Sequence, residues 1–293
     1  MGWTPLNWRF TGGSMARYIS PPQATDETII PAGSSDIPLT YFRLVTLEPG
    51  EIIVDRQYDF ELLLVVLSGK VEVQVGEQSF SEIGGRENIW SGCADSVYAG
   101  TGAEVKITAS VGAAEIAIAG GYTTEVHAPF RILPAAVESV EVGSIETHSK
   151  RTIRHILGQS ANGRAGNLLV SELYASPGCW SGYPPHKHDQ EAPPEETAFE
   201  EVYHYRFHPE SGFGGQYHYR DGEEPTAVMT QHRSTFVVDN GYHPTSTSPG
   251  HRGYIFTILV GKQQRSLIQR FDAKHQHLMA GIPGLQDMRN KFK

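Results

Sequence analysis

From residue 39 onward the chain alternates short apolar, β-branched runs with turns that contain glycine or proline. "LTYFRLVTL" (39 to 47) ends at "EPG", and "ELLLVVLSGKVEVQV" follows, with Val71, Val73 and Val75 alternating against Glu72 and Gln74. A period of two sends successive side chains to opposite faces, so these runs are expected to be strands, and Ser68-Gly69-Lys70 between them predicts a hairpin. "VYAGTGAEVKITASVGAAEIAIAGG" supplies three more short strands. No segment up to residue 125 carries a sustained helical period.

Residues 126 to 150 change character and read as a connector with one short strand. The pattern then restarts: "NLLVSELYASPG" resembles "TYFRLVTLEPG", a Glu-led run "EVYHYRFHPESG" resembles "ELLLVVLSG", and "YIFTILVG" closes the second set as "EIAIAGG" closes the first. This spacing implies an internal duplication of an all-β unit, with turns frequent enough for a barrel or jelly roll. The expected divisions are 15 to 135, 136 to 270 and a tail, 271 to 293, that packs as a short helix or wraps a partner subunit. Met15 is a second candidate start.

Composition narrows the class. With 293 residues, 39% hydrophobic and 19% charged, the chain can bury a real core and is too balanced to be disordered. The net charge of -9, without a Lys/Arg-rich segment, repels a phosphate backbone and argues against nucleic acid as a partner. No run approaches the ~20 apolar residues of a membrane-spanning helix, and the opening residues lack the apolar core of a signal peptide. Two widely spaced cysteines, Cys93 and Cys179, give neither metal-ligand nor redox spacing, so a reducing cytoplasm is the expected location.

The histidines are unevenly placed. His127, His148 and His155 precede the rest, and the remaining ten of thirteen lie at or after residue 186. On an extended backbone His186 and His188 in "PPHKHD" point the same way, which suits chelation, although such a pair alone is as readily a solvated feature of a Pro-rich loop. Glu201 opens a run whose alternation sets Glu201, Tyr203, Tyr205 and Phe207 on one face and Val202, His204 and Arg206 on the other. "VVDNGYHP" offers His243 at a returning turn. Three imidazoles and a carboxylate from separate strands form an N₃O set for a borderline divalent ion, with open positions left for chemistry.

The order H-x-H, Glu, then G-x-x-H resembles the cupin pattern. "PPHKHD", "EEVYHYRF", "GFGGQ" and "GYHP", with "LSGKVEV" and "GGRENIW" earlier, resemble the 5-deoxy-glucuronate isomerase family of myo-inositol catabolism. The resemblance implies a bicupin, all-β and built of two jelly-roll barrels in tandem. It also implies interconversion of 5-deoxy-glucuronate with 2-deoxy-5-keto-gluconate, and metal ligation by His186, His188, Glu201 and His243. The metal would be Zn, Mn, Fe or Ni. Pairing of edge strands into a homo-oligomer is an analogy with cupins. The first half reads "VDRQYDF" where H-x-H would stand, and is expected to be a scaffold without metal.

Isomerisation needs a proton carrier, and Glu200, Tyr242 and His204 are the candidates nearest the ligands in sequence, although alternation turns Glu200 and His204 away from the face of Glu201. A sugar acid also needs a cation for its carboxylate, for which Arg206, Arg220 and Arg233 are the local choices, while Gln216 is a candidate for a sugar hydroxyl. The acidic loop after His188 is expected to form a rim or lid. Two other functions suit the same residues: a metal-dependent cupin dioxygenase, and a sugar-binding cupin that does no chemistry.

Overall fold

A computed structural model describes residues 17 to 292, so the candidate start at Met15 lies outside the described residues. The strands form two large sheets and two small four-stranded ones, with a further two-stranded pair. In the first half a six-stranded sheet centres on Phe60–Ser68 and Ala114–Tyr122 and faces a small sheet containing Lys70–Val75 and Val105–Ala109. In the second half a seven-stranded sheet centres on Phe199–His208 and Arg252–Gly261 and faces a small sheet containing Phe213–His218. Each half is a double-sheet jelly roll. Its two sheets meet through side chains and are not hydrogen-bonded into one continuous barrel.

Alternation explains the layering. In Phe60–Ser68, Leu62, Leu64 and Val66 point into the first half and pack with Val71, Val73, Val105 and Ile107 of the small sheet. Leu63 and Val65 point the other way, into a core shared with Val202, Phe256 and Ile258 of the second half. The large sheets therefore stand back to back, which buries both faces of their central strands and accounts for near-continuous apolar runs such as "ELLLVVL".

Two expectations need correction. The predicted hairpin at Ser68-Gly69-Lys70 is instead a corner: Phe60–Ser68 belongs to the large sheet and Lys70–Val75 to the small one, where it pairs with Gln78–Gly84. Gly69 makes the corner, because its φ is +80° and an added Cβ would lie 2.4 Å from the Ala113 carbonyl oxygen. The connector holds two short strands, Phe130–Ile132 and Glu138–Val142, which edge the first and second large sheets respectively. At the other end, Tyr18–Ile19 pairs with Thr235–Val238 and so joins the second half's sheet despite its position in sequence. The tail does form a short helix, Leu285–Phe292, and Ile282, Leu285 and Met288 pack into the second half's core.

Candidate metal centre

Three segments of the second half deliver the histidines and glutamate to one place. His186 sits in a two-residue strand paired with Arg270–Phe271, and His188 follows two residues later. Glu201 lies on Phe199–His208, on the face that carries Tyr203, Tyr205 and Phe207 into the second half's core. His243 follows a turn at Gly241, where φ is +74° and an added Cβ would lie 2.6 Å from His218 Nε2. All four are buried. The ligand atoms of His186, His188 and His243 lie within 4.8 Å of one another. Glu201 Oε2 is 2.9 Å from His188 Nε2 and 3.2 Å from His243 Nε2.

Hydrogen bonds set the ring orientations. His186 Nδ1 lies 3.3 Å from the Pro184 carbonyl and His243 Nδ1 lies 2.8 Å from the Gly241 carbonyl, so each donates there and keeps a lone pair on Nε2. His243 Nε2 is buried without a well-aligned hydrogen bond, although Glu201 is close. Burial, with His243 and His188 adding to it, pushes His186 well below its ordinary range, which favours the neutral ring that ligates metals. Burial alone would raise Glu201, but His188, hydrogen-bonded at 2.9 Å, with His243 close beside it, outweighs burial and holds the carboxyl down to about 2. A neutral His186 ring, an ionised Glu201 and an orphaned His243 Nε2 fit a divalent cation; at His188 burial is outweighed by the hydrogen bond to Glu201, which raises the ring, so a cation binding there would displace a proton.

A polar network ties the ligand loops together. Asp189 Oδ2 accepts from Gly241 N at 2.8 Å, joining the His188 loop to the His243 turn, while Lys187 donates to both Asp189 and Glu196. Glu196 also accepts from Asp189 N and Gln190 N. The acidic loop is thus folded back onto the ligand segment.

Several residues selected from the sequence are placed elsewhere. Glu200 faces the first half, where its carboxylate accepts from Leu39 N at 3.0 Å and Thr40 Oγ1 at 2.8 Å. His204 lies on the same outward face, with Nδ1 3.0 Å from Thr235 Oγ1 and its ring edge-on to Phe42. Arg206 donates twice to Glu115 of the first half, and Arg233 lies 3.4 Å from the same carboxylate. Arg220 pairs with Glu223 on the surface. The Tyr242 ring stacks on Tyr219 at 5.0 Å, outside the cavity that borders the ligands. Gln216 is buried, accepts from the Tyr205 hydroxyl, and donates to the His243 carbonyl at 2.9 Å, so it supports the ligand backbone.

A cavity of about 50 Å³ borders the ligands, lined by His186, Glu201, Tyr203, Gln269, Met288 and Arg151 among others. Gln269 Nε2 lies 3.0 Å from His186 Nε2. Burial, with the neighbouring Glu201 carboxylate, keeps the Tyr203 hydroxyl well above its ordinary range and therefore protonated. Burial lowers Arg151 to about 10, which still leaves it a cation at neutral pH. The sequence reading placed Tyr203 on the face of Glu201 and missed Arg151. Tyr203 shares the parity of Glu201, a signal that was present in the sequence. Arg151 lies in none of the motifs.

The model of the KduI/IolB family matches residues 19–278. The chain belongs to the KduI/IolB family. Family relatives described as 5-deoxy-glucuronate isomerase include one from Listeria innocua, 32% identical over 234 residues that cover 79% of this chain and 85% of the relative. Another, from Bacillus velezensis, is 33% identical over 239 residues, covering 80% and 86% respectively. The crystal structure of an IolB-like protein from Salmonella typhimurium superposes with a TM-score of 0.82 at 26% identity, over 89% of this chain and 98% of that one. An oxalate decarboxylase from Lactobacillus farciminis shares the fold, with a TM-score of 0.63 at 12% identity over 90% of each chain. The KduI/IolB fold here is the expected all-β bicupin.

The two halves of this family member differ where the ligands stand. Glu61 pairs with Gly121 and faces the other half, where it accepts from Gly166 N and Leu168 N. Its counterpart by facing is therefore Glu200, one residue away from the Glu201 suggested by the repeat pattern. The inward neighbour in the first half is Leu62.

Proposed function

We propose that this protein is a metal-dependent aldose-ketose isomerase that converts 5-deoxy-glucuronate to 2-deoxy-5-keto-gluconate in myo-inositol catabolism. The observation that carries this reading is the convergence of His186, His188, His243 and Glu201 beside a small cavity. The enzyme names of the family relatives support the substrate.

The four side chains would hold the cation, with Glu201 supplying the negative charge and the three rings neutral donors. When bound, a divalent cation stabilises negative charge that develops on neighbouring substrate oxygens as hydrogen leaves carbon. Gly241, Pro184 and Gln216 hold the rings and their backbone in place, so the site needs little rearrangement to bind. Tyr203, which keeps its proton, can donate from Oη to a substrate oxygen. Glu200, His204 and Tyr242 have no such access. The cavity is smaller than a whole sugar acid, so only part of the substrate fits within it.

The test is an anaerobic assay of metal-loaded protein with 5-deoxy-glucuronate, alongside elemental analysis. Turnover without oxygen by protein carrying about one equivalent of metal is expected. Turnover that needs oxygen, or equal rates in metal-stripped protein, would overturn the reading.

A further inference from the structure

Arg151 opens the strand Arg151–Leu157 and is only 2% exposed. Its guanidinium donates to the Ser149 carbonyl at 2.8 Å and the Tyr183 carbonyl at 3.0 Å. These bonds use two of its five N–H donors. Among the described residues no carboxylate pairs with it, which separates it from the other buried arginines: Arg86 is bound to Glu172 and Arg206 to Glu115. A buried cation without a counter-charge is costly to fold. This one lines the cavity that His186 and Glu201 border.

We propose that Arg151 is the anchor for the carboxylate of an acidic sugar, the residue that makes the site prefer an acid over a neutral sugar. The proposal rests on the isomerase reading for the identity of the sugar, but not for the preference for an anion. The cavity has room for about three or four waters, enough for a carboxylate placed against the guanidinium. A forked guanidinium binds a carboxylate through two parallel hydrogen bonds, and a guanidinium as buried as this one makes that contact strong. The arrangement also gives a direction: acid group at Arg151, reacting oxygens toward the histidines. Because Tyr183 lies on the segment leading to His186, Arg151 steadies the ligand loop as well, and the test has to separate that task from binding.

The experiment compares metal-loaded wild type, R151K and R151M. Calorimetry with D-glucuronate and with D-glucose reads binding without turnover. Kinetics with 5-deoxy-glucuronate and with the analogue whose carboxylate is replaced by hydroxymethyl reads specificity. Metal content and melting temperature are measured for each variant. Wild type is expected to bind glucuronate far better than glucose. R151M should weaken glucuronate by about a hundredfold, mainly through KM in the kinetic arm, with the neutral compound changed by less than about threefold and metal retained. R151K, which keeps the charge without the fork, should fall between. Equal losses for acid and neutral compounds would reduce Arg151 to a structural role, and undiminished glucuronate binding in R151M would also overturn the proposal. If wild type prefers glucuronate through Arg151 yet does not turn over 5-deoxy-glucuronate, the isomerase reading fails and the anchor stands.

Discussion

Arg206 and Glu115 face each other across the seam between the halves, joined by two hydrogen bonds of 2.7 Å each. Both side chains are largely buried, at 8% and 14% exposure, so this pair works as a structural clasp and has no charge to spare for substrate. Removing one member leaves the other buried and uncompensated. We expect E115Q to destabilise the fold by about 3 kcal/mol in urea denaturation, because Arg206 and Arg233 both lose their partner. Metal content at a permissive temperature should be unchanged, and a stability within experimental error of wild type would refute the clasp.

The same pair sets an acid limit. Burial alone would raise the Glu115 carboxyl, but the charge and hydrogen bonds of Arg206, with Arg233 behind, hold it below its ordinary value of 4.5. A carboxyl lowered by folding contributes its stability fully above the unfolded value and loses it as pH falls through the folded one. Between pH 5 and pH 3 the wild-type urea midpoint should therefore fall more steeply than that of E115Q. Parallel curves would show that another group governs acid unfolding.

Substitution at the centre should sort residues by face. H186A, H188A, H243A and E201Q are each expected to lower metal affinity at least tenfold by elemental analysis after dialysis, with isomerase turnover lost in proportion. E200Q and H204F act on the opposite face of the same strand and should retain metal and change kcat by less than about threefold. Metal loss in H204F comparable to that in H243A would show that the two faces are not independent.

Gly241 tests how the turn positions its histidine. Its positive φ and the 2.6 Å approach of an added Cβ to His218 make G241A strained, and the donation of its N–H to Asp189 would be disturbed. We expect a 10- to 100-fold fall in metal affinity, and a similar though smaller fall in D189N. Calorimetric titration of Zn²⁺ into metal-stripped protein reads both, and unchanged affinity in G241A would mean that the turn is not what places His243.

Strand parity was legible in the sequence, and it is what placed Glu201 inward and His204 outward before any coordinates. The candidate ligands stood out in the sequence because two of their features are local, His186 and His188 two residues apart and His243 after a glycine turn, and the structure brings these side chains together with Glu201. The charge partners were not legible. Arg206 meets Glu115 from 91 positions away, so only the packing of the two large sheets decides that it is unavailable. Arg151 lay hidden for the converse reason: it stands 35 positions before His186 in no recognisable motif, and its significance comes from a missing partner. The corner at Gly69 looked like a hairpin because both geometries ask for a glycine between two apolar runs.

Glu61 and Glu200 do the same job in opposite directions, each reaching over to cap the leading end of a strand in the other half. Contacts that repeat with the partners exchanged are the signature of like meeting like about a twofold axis. In mechanical terms the chain is a dimer on one string. Because that grip is made by outward residues, the inward positions beside it are free to diverge, and one copy can carry leucine where its twin carries a glutamate without loosening the join.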